Sequence, residues 1–83
     1  MDQRQNDLLT SIVEQIAYVS VVRLSKRQLR HLHSAERLGK NTWRDLEQRL
    51  PRGITSKDVS FIDEDDDIYL IRNSALGTLS DVV

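Results

Sequence analysis

Two sets of charged side chains and one tryptophan hold most of the chemistry this sequence can offer. The first set is cationic: Lys26, Arg30, His33 and Arg37 are spaced four, three and four residues apart. On a helix they fall within an arc of roughly 60° and form a line of about 16 Å. Arg23 and Arg27 flank it. A guanidinium presents a planar fork of donors that matches carboxylate or phosphate oxygens. The stripe therefore reads as a solvated helix face or as an anion-binding edge. Its ligand would be nucleic-acid phosphates or an acidic protein surface.

The second set is the unbroken acidic run Asp63, Glu64, Asp65, Asp66 and Asp67. Such a run can form a solvated turn that keeps a sheet edge from aggregating. It can also dock a basic partner, including the cationic stripe of a second copy. Asp63, Asp65 and Asp67 imitate the start of a calcium loop. However, the sixth position is Ile68 where a glycine is needed, and the twelfth is Ser74 where a glutamate is needed. His31 and His33 are two residues apart, so they do not share a helix face, and no carboxylate completes a zinc motif.

The chain has no cysteine. That removes disulfides, thiolate-bound metals and thiol nucleophiles. No nucleophile elbow, phosphate loop or dinucleotide fingerprint is present. The expectation is a non-enzymatic protein with no cofactor and no metal. Trp43 is either a core residue or, where it reaches the surface, the anchor of a protein interface. Tyr18 and Tyr69 are open to the same two readings.

The elements that must position these groups follow from period and punctuation. With 83 residues, one small domain is expected, with residues 1–6 and 74–83 flexible. No apolar run approaches the roughly 20 residues of a membrane span, and the polar start lacks a signal-peptide pattern. The expected compartment is cytoplasmic. Leu8, Leu9, Ile12, Val13 and Ile16 recur at helical spacing and predict a first helix from about Asp7 to Tyr18, running on to about Val22. Ser25 and Gln28 form a capping-box pattern that starts a second helix, with Leu24 and Leu29 as its apolar staple. That helix is expected to reach Leu38, with Gly39 as a left-handed C-cap. Thr42 is the expected N-cap of a third helix with Trp43, Leu46 and Leu50 on one face, stopped by Pro51.

After the Arg52–Gly53 turn, Val59 to Ile62 and Ile68 to Ile71 read as two short strands around the acidic run. The tail carries at most a short helix near Ala75 to Leu79. The fold class is thus α+β: three N-terminal helices followed by a C-terminal two-stranded hairpin, the outline of a winged helix. A glycine-containing turn joins helices two and three, as a helix-turn-helix requires. In that register, though, Asp45 and Gln48 occupy positions that should be apolar. The third helix is expected to point Arg44, Asp45, Glu47, Gln48 and Arg49 outward, two of them acids.

The net charge of −1 conceals a division. Residues 1–57 hold 11 Lys/Arg against 6 Asp/Glu, and residues 58–83 hold 1 against 7. Such polarity concerns partners rather than fold. The expected function is a small protein-interaction module, an adaptor, inhibitor or regulatory subunit, using the basic helix face and the acidic hairpin. The alternative is a nucleic-acid-binding regulator that contacts phosphates through the second helix. Self-association fits either one.

Overall fold

The computed structural model describes residues 2–33 and 39–82. Helix α1 spans Gln3–Glu14. Asp2 caps it: its carboxylate accepts from the Gln5 N–H at 2.8 Å, and the Gln5 side chain accepts from the Asp2 N–H at 3.1 Å. This reciprocal box satisfies two end groups at once and starts the helix well before Asp7. One further turn, α2 (Ile16–Val19), follows Gln15. Leu9, Val13 and Ile16 form the buried face. Ser20 then adopts a left-handed conformation, φ 63°, and ends the helical run.

The next segment is a strand, not the end of a helix. β1 (Val21–Ser25) buries Val22 and Leu24 and exposes Val21 and Arg23, the period-two pattern of a strand with one face on a core. It pairs antiparallel with β3 (Asp67–Arg72), setting Val22 opposite Leu70 and Leu24 opposite Ile68. β2 (Val59–Asp63) pairs with the other edge of β3. The result is a three-stranded antiparallel sheet of order β1-β3-β2, in place of the two-stranded hairpin that the sequence predicts. The β-branched Val21 and Val22 lose side-chain freedom in a helix and pack well on a pleated surface.

Helix α3 (Lys26–Leu32) follows β1 without a loop. The Ser25 hydroxyl accepts from the Gln28 N–H at 3.3 Å, and Leu24 and Leu29 are both buried. His33 is its C-cap; the expected continuation to Leu38 lies outside the described residues. Gly39 is extended, φ −130° and ψ −175°, and serves as the N-cap of α4 (Lys40–Gln48). It is not a left-handed C-cap. Thr42 lies inside α4 and is buried, so it does not cap the helix. Gly53 takes φ 89° in the turn after Pro51, where a side chain would be strained. Beyond β3 the chain makes two short 3-10 turns, Asn73–Ala75 and Leu79–Asp81.

Among the described residues the architecture is mixed α+β: three helices, the first with a one-turn extension, on one face of the sheet. The core joins Leu9, Val13 and Ile16 to Val22, Leu24, Ile68 and Leu70 of the sheet and to Leu29, Leu32 and Leu46 of α3 and α4. Among the described residues, no helix is long and apolar enough to cross a membrane.

Candidate interaction surface

The cations of α3 have unequal surroundings. The Lys26 N–H donates to the Asp66 carbonyl at 2.9 Å, and its ammonium pairs with the Asp63 carboxylate. One end of the basic line is thereby tied to the β2–β3 turn. His33 is mostly covered. Its Nδ1 lies 2.8 Å from the Leu29 carbonyl and its Nε2 lies 2.7 Å from Asp45 Oδ2. Both partners are acceptors, so only the doubly protonated ring makes the two bonds together. Arg30 is half-buried, whereas Arg23 and Arg27 are exposed. Arg37 lies outside the described residues.

Asp45 belongs to this interior network and does not point outward. It accepts from Arg49 Nε at 3.0 Å as well as from His33. Arg49 in turn donates through Nη1 to the Asn6 carbonyl at 3.0 Å and to the Thr10 hydroxyl at 2.6 Å. One acid thus ties α3 to α4, and its arginine ties α4 to α1. Burial alone would raise the Asp45 pKa. The hydrogen bonds from His33 and Arg49, with their charges, outweigh it and hold the carboxyl below its ordinary 3.8. The exposed residues of α4 are Lys40, Asn41, Arg44, Glu47 and Gln48, with Glu47 the one acid among them.

The acidic run is divided between elements. Asp63 ends β2, Asp67 opens β3, and Glu64, Asp65 and Asp66 form the turn. The Glu64 N–H donates to the Asp67 carbonyl at 2.9 Å and closes it. Glu64, Asp65 and Asp66 are exposed at the end of the sheet.

An apolar groove of about 290 Å³ opens between α4 and β2. Trp43, Leu46, Leu50, Val59, Phe61 and Leu70 line it, with Glu47, Ser56 and Ser60 as its polar members. Its volume is near the lower end for sites that hold small ligands or side chains. The Trp43 and Phe61 rings lie 4.7 Å apart and inclined by 37°, a tilted pairing that aromatic quadrupoles favour. Phe61 is 56% exposed despite facing the same side of the sheet as the core. Neither Phe61 nor the groove emerges from the sequence by itself. Strand alternation places Phe61 on the Val59 side, but only the position of α4 shows that this side stays partly open. Among the described residues, no three His, Asp or Glu side chains converge as a metal cage. Comparison with protein-family models, with curated proteins and with solved structures finds no match for this chain.

Proposed function

We propose that this chain is a small, non-enzymatic, cytoplasmic protein-interaction module built on a winged-helix-like outline. The order helix, strand, two helices, two strands, with β3 central in the sheet, supports that outline. The observation that carries the function is the open groove walled by Trp43 and Phe61. Aromatic walls that remain accessible are typical anchors for a partner's apolar side chains. The acids at Glu64–Asp66, at the end of the sheet, and the exposed Arg23 and Arg27, on β1 and α3, supply charge elsewhere on the surface for orientation and approach. The acidic turn also disfavours phosphate at that end of the sheet.

A nucleic-acid-binding reading has one specific observation in its favour. With Asp45 turned inward, α4 presents Lys40, Asn41, Arg44 and Gln48 with a single acid. Side chains of these types read base edges and hold phosphates.

Selection of peptides from a random display library separates the two. The module should enrich peptides with closely spaced apolar residues, and Phe61→Ser should weaken them at least about tenfold, the loss of one anchor. Failure to enrich any peptide, together with duplex DNA binding that falls with salt and with Arg44→Ala, would move the chain to the second reading.

A further inference from the structure

The inward turn of Asp45 fixes which side chains α4 offers to a partner. Thr42 and Leu46, both buried, mark the middle of its inward side. At 100° per residue Arg44 stands opposite that middle, and Asn41 and Gln48 fall within roughly 60° of it on one flank. Lys40 lies beside Arg44 on the other flank, and all four are exposed. Glu47 sits at the edge of the exposed arc that borders the groove, which it lines. The crest itself therefore carries no acid. Among the described residues, Lys26, Arg49 and Arg72 are engaged within the fold, whereas Asn41, Arg44 and Gln48 make no hydrogen bond or ion pair.

We infer, on the nucleic-acid reading, that the crest of α4 lies in the major groove of duplex DNA and reads a G·C pair flanked on each side by an A·T pair. Side-chain chemistry is the first support. An arginine fork meets guanine O6 and N7, and a carboxamide donates once and accepts once at the adenine edge. Asn41, Arg44 and Gln48 are thus three side chains able to make two bonds to one base. Dimensions agree. Asn41 to Gln48 spans about 10 Å along the axis, with Arg44 between them, and three base pairs at about 3.4 Å cover the same length. The B-form major groove, about 12 Å wide, admits such a helix, whereas the A-form RNA groove is too narrow. Charge agrees as well. Lys40 and Arg44 face the phosphates without an acid between them. The acidic turn is tied to Lys26, where α3 begins, and α4 is tied to His33, where α3 ends. The rise of helix between these ties is about 10 Å, a Debye length at moderate salt. The apolar groove opens on a different side of α4, so a duplex on the crest leaves it free.

The full-length chain would select duplexes from a randomised library at about 50 mM salt, where phosphate contacts are strong. Anisotropy titrations would then compare the selected sequence with a scrambled one. The selected duplexes should share the flanked G·C pair and bind at least about tenfold more tightly than the scrambled one. Arg44→Ala should remove the preference for guanine at least about tenfold, and Gln48→Ala the preference for one adenine. Lys40→Ala should weaken both duplexes alike and lower the salt slope by about one. All three positions are exposed, so the variants keep the fold. Equal binding to every duplex overturns the inference and leaves the nucleic-acid reading standing. Absence of binding to any duplex overturns both. Arg44→Ala that weakens selected peptides and not DNA assigns the crest to a protein partner and overturns the inference as well.

Discussion

Replacing Asp45 by alanine tests whether the interior network holds the helices as described. The carboxylate accepts from His33 at 2.7 Å and from Arg49 at 3.0 Å, and its side chain is only 27% exposed. Hydrogen bonds to charged groups contribute about 1.5–3 kcal/mol each, so full loss of two would set an upper bound of about 6 kcal/mol. Two facts lower it. Partial exposure screens the charges, and Arg49 keeps its bonds to Asn6 and Thr10. The expected cost is about 2–3 kcal/mol, which for a domain of this size lowers the melting temperature by about 10–20 °C. Thermal and urea unfolding, followed by circular dichroism and Trp43 emission, measure it. Glu47→Ala, on the exposed side of the same helix, is the control and should change stability by less than about 0.5 kcal/mol. In a double-mutant cycle with His33→Ala, the coupling should exceed about 0.5 kcal/mol. An Asp45→Ala variant as stable as the parent would refute the reasoning. Asp45 would then face water, and α4 would again present two acids to a ligand.

Acid unfolding gives a second measurement on the same residue. The folded pKa of Asp45 lies below its ordinary 3.8. Its contribution is therefore complete above that unfolded value and disappears as pH falls below it, through the folded value. Asp45→Asn should flatten the stability-against-pH curve in that acidic window and leave the neutral region level; an unchanged acid slope would count against the assigned hydrogen bonds. At the other end of the chain, Asp2→Ala removes the α1 cap and should cost about 1 kcal/mol, with amide exchange accelerated first in residues 3–6. Uniform exchange across α1 would show that the cap does not hold the helix start.

Some of this was legible and some was not, for physical reasons. The Ser25–Gln28 start of α3 and the strands on either side of the acidic run follow from local chemistry, namely a hydroxyl cap and β-branched runs flanking turn-forming acids. The Asp2–Gln5 box has the same form and could have been seen in the same way, but a polar opening segment draws the eye to the first apolar residue instead. β1 was hidden because five residues of Val, Arg, Leu and Ser suit a helix end as well as a strand. What decides is β3, whose two edges both need partners, and that is a long-range fact. The inward turn of Asp45 was hidden for the same reason. An acid at a helix position is solvent-facing by default, and only His33 and Arg49, together with the Asn6 carbonyl and Thr10 that hold Arg49, make burial affordable.

The geometry of α4 connects the network to the groove. At 100° per residue, Asp45, Arg49, Thr42, Leu46, Leu50 and Trp43 occupy one continuous arc of about 160°, in that order. Lys40, Asn41, Arg44, Glu47 and Gln48 fill the opposite side. The inward arc is thus polar at one edge and aromatic at the other. A purely apolar stripe centred on Leu46 would fix the depth of the helix but only loosely its rotation, because neighbouring apolar side chains can replace one another with little loss. A directional ion network at one edge does not allow that exchange, since a rotation that withdraws Asp45 leaves Arg49 and His33 without their acid. The rotation fixed at Asp45 is what holds the Trp43 ring against Phe61 across the helix. The exposed aromatic wall, the feature from which a binding function is argued, therefore depends on a partly buried charge on the far edge of the same arc.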